Sequence, residues 1–95
     1  MDNYRKYRKD TPRFRKLKKI NGHLVAWMDD GPFTWGYPQT ARQAKDQSAI
    51  WGRDLDKISD LEDRKRLQNG SDEFMRAHRA LVAAGVSQDD DPILR

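Results

Sequence analysis

Arg13-Phe14-Arg15-Lys16-Leu17-Lys18-Lys19-Ile20-Asn21-Gly22-His23-Leu24-Val25-Ala26-Trp27-Met28 is the stretch on which the fold turns. Asn21-Gly22 at its middle suits a two-residue type I′ hairpin loop, because both loop positions need positive φ and Asn and Gly accept it most readily. Such a loop pairs Ile20 with His23, Lys18 with Val25 and Lys16 with Trp27. One face of the ribbon then carries Leu17, Leu24, Ala26 and Met28. The other carries Lys16, Lys18, His23, Val25 and Trp27, with Phe14 and Ile20 at its ends. The same residues admit a second reading, in which Thr11 caps a short helix with Pro12 in its first turn, Phe14 and Leu17 share a face, and Gly22 is the stop.

Downstream, Asp29-Asp30-Gly31-Pro32 is a second turn signal. It leads into Phe33-Thr34-Trp35-Gly36-Tyr37, where aromatics fall at every second position, the spacing of one strand face. Pairing Phe33 with Met28 would add Phe33, Trp35 and Tyr37 to the apolar side and complete a three-stranded antiparallel meander.

The rest reads as helix. Ala41, Ala44, Ser48, Trp51, Leu55 and Ile58 recur at spacings of three and four, which predicts a helix opening at Pro38 or Gln39 and running to about Asn69. Gly70 is its expected stop, and Gly52 marks a place for a kink or break. Ser71, followed by Asp72 and Glu73, is the expected cap of a last helix with Phe74, His78, Leu81 and Val82 on its inner side and Gly85 at its end. The fold class is therefore α+β: a small three-stranded antiparallel meander, a long helix and a shorter C-terminal helix. The expected organisation is a flexible basic arm over residues 1–12, a single domain over 13–86 and an acidic mobile tail over 87–95.

Charge divides the chain unevenly. The first twenty residues carry nine Lys or Arg against two Asp, a net of +7, while the remainder is −3. Such asymmetry points to a polyanionic partner, nucleic acid above all. Arg5, Lys6, Arg8 and Lys9 are placed to neutralise phosphates, with Tyr4 and Tyr7 among them to stack on bases or ribose. A solubilising tail, or an arm anchored on its own domain by its tyrosines, is the plainer reading. Arg13, Arg15, Lys16, Lys18 and Lys19 continue the basic run into the folded region, where Trp27 interleaves with Lys16 and Lys18. Arg64-Lys65-Arg66, next to Glu62 and Asp63, reads first as a solvated helix face and second as an extra phosphate contact.

Catalytic signals are thin. The chain has no cysteine, which excludes disulfides, thiolate metal sites and a cysteine nucleophile. His23 beside a turn and His78 on the apolar side of a helix form no set of nucleophile, base and orienting group. Asp29-Asp30 beside Gly31-Pro32 is better explained by a turn than by a metal, and there is no Gly-rich phosphate loop. The expectation is a protein with no enzymatic activity, no metal and no cofactor. No apolar run approaches the roughly 20 residues needed to cross a bilayer, and no apolar segment follows the basic amino terminus; the expected location is cytoplasmic, without membrane association.

Asn21-Gly22-His23-Leu24-Val25-Ala26-Trp27, then Trp35-Gly36-Tyr37, then Thr40-Ala41-Arg42-Gln43-Ala44 opening a helix, is similar to the AP2-like DNA-binding domains of plant transcription factors and phage-type integrases. The resemblance spans residues 13–52 and rests on short motifs. It implies a sheet lying in the DNA major groove, with Arg13, Arg15, Lys16, Lys18 and Trp27 as contacts. The sequence departs from that pattern in its mostly apolar second strand, where His23 is the one potential cation, and in the expected length of its first helix.

Together these readings lead to a small nucleic-acid-binding accessory protein, its partner DNA or RNA. The alternative is a protein-binding module, such as a phage-encoded inhibitor or adaptor docking on a host or virion protein, with Trp35, Tyr37 and Trp51 or the basic arm as its interface. A third is a structural subunit ordered only in its assembly.

Overall fold

The computed structural model describes the backbone of residues 11–30 and 33–86, and the side chains of these residues other than 30 and 33–35. Three strands come first: β1, Arg13–Ile20; β2, His23–Asp30; and β3, Phe33–Gln39. They form one antiparallel sheet in the order β1-β2-β3. Two helices follow, α1 over Ala41–Gly52 and α2 over Leu61–Ala83, with a single 3-10 turn at Leu55–Lys57 between them. The α+β meander with two helices is thus as expected, but the helix lengths are exchanged: the first is the shorter.

The hairpin between β1 and β2 is built as its sequence dictates. Asn21 has φ 51° and Gly22 φ 82°, the two positive values of a type I′ loop. Ile20 faces His23, Lys18 faces Val25 and Lys16 faces Trp27. Residues 13–20 are therefore strand, not the short helix that Thr11-Pro12 also allowed.

Two irregularities alter the outer register. Between Phe14 and Lys16 the pairing shifts, so that Phe14 meets Met28 while Lys16 meets Trp27. Arg15 is the extra residue of a β-bulge, and one extra residue reverses the side to which everything before it points. Phe14 consequently packs against the core instead of ending the opposite face. In β3 the partner of Met28 is Tyr37, not Phe33, which pairs with Asp30; the register breaks between Asp29 and Asp30. The displacement is an even number of residues, so Tyr37 keeps its core-facing side and packs on the apolar cluster.

That cluster is formed by Ala26 and Met28 of β2, Ala41 and Ala44 of α1, and Phe74, Ala77 and Leu81 of α2, with Phe14, Leu17, Leu24, Tyr37, Trp51 and Val86 around it. It lies on one side of the sheet. Thr40 starts α1 through a capping box: its Oγ1 accepts from the Gln43 N–H at 3.1 Å and its own N–H donates to Gln43 Oε1 at 3.0 Å. The expected stripe Ala41, Ala44, Ser48 is buried, but α1 ends at Gly52 and does not continue to Asn69. Asp60 begins the next helix, accepting from the N–H groups of Glu62 and Asp63 at 2.9 and 3.2 Å, with both acidic residues at the positive end of the helix dipole.

Gly70 and Ser71, read as a stop and a cap, lie inside α2 because the helices cross there. The Trp51 indole occupies the place a Cβ on Gly70 would take, and its ring meets Phe74 at a centroid distance of 6.3 Å. Ser48 Oγ donates to the Ser71 carbonyl and Ser71 Oγ to the Ser48 carbonyl, both at 2.8 Å. Small residues on both helices let the backbones approach closely enough for this exchange. On the inner side of α2, Ala77 is buried between Phe74 and Leu81, whereas Val82, expected there, is 45% exposed. The helix ends in a Schellman turn: Val86 N–H donates to the Leu81 carbonyl and Gly85 N–H to that of Val82, both at 3.0 Å, with Gly85 at φ 93°.

Candidate nucleic-acid interface

Because both helices contribute to the apolar cluster on one side of the sheet, the alternating residues of the strands present a second face away from it. Arg13, Lys16, Lys18 and Ile20 of β1, His23, Val25, Trp27 and Asp29 of β2, and Gly36 and Pro38 of β3 belong to this side by register. Lys16, Lys18 and His23 are exposed and Trp27 is partly exposed. Val25, placed on this face by its position, is fully buried and outside the core cluster, so it offers no contact surface.

Trp27 is fixed from both neighbouring strands. On the β3 side its indole lies across Gly36, with Nε1, Cε2 and Cζ2 in the position that any side chain at 36 would need. Glycine is required here for space, not for an unusual φ. On the β1 side the Lys18 ammonium sits 4.2 Å from the ring centroid, a cation–π contact. The most concentrated part of the face is therefore two lysines beside an aromatic ring whose nitrogen-bearing edge lies over Gly36.

The other expected contacts separate from this group. Arg15, displaced by the bulge, forms a two-pronged pair with Asp29: Nε to Oδ2, and Nη2 to Oδ1 at 3.3 Å. The hydrogen bond and charge of Asp29 raise the guanidinium above its ordinary range and hold it as an internal partner. Lys19 pairs with Leu24 and so belongs to the helix side of the sheet, where it is exposed at the rim. Arg13, paired in register with Asp29 at the far end of the face, is exposed and also lines a groove with Thr11, Pro12, Asn69, Asp72 and Glu73, where the Phe14 N–H donates to Glu73 Oε1 at 3.1 Å. Tyr4, Arg5, Lys6, Tyr7, Arg8 and Lys9 lie outside the described residues.

Elsewhere the polar groups serve the fold. His78 donates from Nδ1 to the Ala41 carbonyl at 2.8 Å, joining α2 to the start of α1. Arg66 pairs with Asp63 one turn earlier, leaving Arg64 and Lys65 exposed on α2 beside Leu55, Leu61 and Gln68. Among the described residues no group of three or more His, Cys, Asp or Glu is placed to hold a metal ion, and no described helix is long and apolar enough to cross a membrane.

Sequence reasoning missed the bulge at Arg15 and the space-making role of Gly36. Asp29 was read as a turn residue in preference to a metal ligand; Arg15, next to Phe14, gave no signal that it would pair across the sheet. Comparison with protein-family models, curated proteins and solved structures finds no match.

Proposed function

We propose that this protein binds nucleic acid through the sheet face built from Lys16, Lys18 and Trp27, with the basic residues that precede β1 adding phosphate contacts. The observation that carries the reading is the meeting of Lys16, Lys18 and Trp27 on the side of the sheet opposite the core. Two ammonium groups on a rigid strand hold a fixed spacing against a phosphate backbone, and an aromatic ring beside them offers a stacking surface. The +7 net charge of the first twenty residues supports the same partner and would speed association with it. Function on this account is binding without catalysis.

The similarity to AP2-like domains favours the same face. A helix opening at Thr40 directly after a three-stranded sheet is the arrangement that similarity implies. In the protein-docking alternative, Tyr37 and Trp51, each partly buried against the apolar cluster, would present only their outer edges to a partner.

Titration of labelled duplex DNA, single-stranded DNA and RNA across a salt series tests the proposal. Binding should weaken linearly in a log–log plot against salt, and deletion of residues 1–12 should flatten that line. Absence of binding to all three at low salt would refute it.

A further inference from the structure

The geometry around Trp27 points to a particular form of nucleic acid: a single strand, one of whose unpaired bases stacks on this indole while Lys18 moves from the ring to a phosphate. This inference rests on the nucleic-acid reading and deepens it.

The indole has two ways to recognise a base, by its N–H or by its flat π surface. The first is crowded here, because Nε1 is among the ring atoms lying against Gly36 of the adjoining strand. What Trp27 offers outward is the ring, and the Lys18 ammonium already occupies a place over it at 4.2 Å. A cation over an exposed ring is weakly held and readily exchanged. A base arriving there would replace one favourable contact of the ring with another, and would release the ammonium within reach of the phosphates flanking that base. Lys16, two residues along the same strand face, extends the cationic track.

Duplex DNA can meet the two lysines through its phosphates but cannot use the face of the ring. Its base faces are covered by their neighbours in the stack, so a protein meets base edges and phosphates only. An unpaired strand has free base faces, and stacking on protein aromatics is how such strands are commonly held.

The test compares three probes at matched salt: a thymidine oligomer of about twelve nucleotides, within the span single-strand sites cover, an abasic phosphodiester strand of the same length, and a duplex. Trp27→Ala should weaken binding of the thymidine oligomer by about 5- to 150-fold, with little change for the abasic strand or the duplex. Trp27→Leu, which keeps apolar cover over Gly36, should show the same selectivity and guards against a folding defect in the alanine variant. Lys18→Ala should weaken the abasic strand while the preference for bases over abasic strand holds or rises. Equal losses on all three probes with Trp27→Leu, or tighter wild-type binding to duplex than to the thymidine oligomer, would overturn the single-strand inference and leave the nucleic-acid reading standing. No wild-type binding to any probe would overturn both.

Discussion

The indole of Trp27 lies over the Cα of Gly36 on the adjoining strand, filling the space a side chain there would occupy. One glycine thus sets the position of the aromatic residue at the centre of the candidate interface. Gly36→Ala places a methyl inside the ring. Forced overpacking of this kind costs about 1–3 kcal/mol, and chemical denaturation should show a loss in that range. The same change in a Trp27→Ala background should have much less effect, since the atoms it collides with are gone; an unchanged loss would show that the glycine serves something else.

Gly70→Ala sets two effects against each other. Alanine is favoured over glycine inside a helix by about 1 kcal/mol, but here the methyl would overlap the Trp51 ring, itself packed on Phe74. Overlap should win and the variant should be less stable than wild type. Combined with Trp51→Ala the sign should reverse, the glycine replacement becoming stabilising relative to Trp51→Ala alone.

Thr40→Ala removes the side chain half of the capping box at the start of α1. Loss of such a cap costs about 0.5–2 kcal/mol, and here Thr40 is also buried. Denaturation midpoints should fall accordingly, and Thr40→Ser should recover most of the loss by restoring the acceptor for the Gln43 N–H.

Arg15 and Lys16 are neighbours in sequence with different expected roles in binding. Arg15 is held by Asp29, so Arg15→Ala should alter the salt dependence of nucleic-acid binding less than Lys16→Ala does. Each phosphate contact removed lowers the log–log slope by about 0.7 for a single strand. A larger change from Arg15→Ala than from Lys16→Ala would contradict the assignment.

Much of this fold was legible where local chemistry and global packing agree. Asn21-Gly22 specified both the loop and the inner register of β1 and β2, and the alternation Leu24, Ala26, Met28 named the core side of the central strand. The bulge at Arg15 was not legible, because an extra strand residue leaves an ordinary alternation on each side of it. Gly70-Ser71-Asp72-Glu73 reads locally as a helix stop followed by a helix start. Only the arrival of Trp51 from another helix explains why a glycine lies mid-helix there. The true start was visible in Asp60 with Glu62 and Asp63, but was hidden inside a longer amphipathic pattern. For the interface, the pairing register placed Lys16, Lys18 and Trp27 together in advance; the pairing of Arg15 with Asp29, and the burial of Val25, depend on tertiary geometry that no strand pattern encodes.

On the proposed function the folded sheet face, and not only the basic residues before it, meets phosphate. That contact is tested most directly by the salt dependence of single-strand binding for a Lys16→Ala/Lys18→Ala double variant in a chain lacking residues 1–12. The truncated wild-type sequence should still bind with a negative log–log slope, and the double substitution should lower that slope by about 1.4, the loss of two contacts. An unchanged slope in the double variant would contradict the proposal.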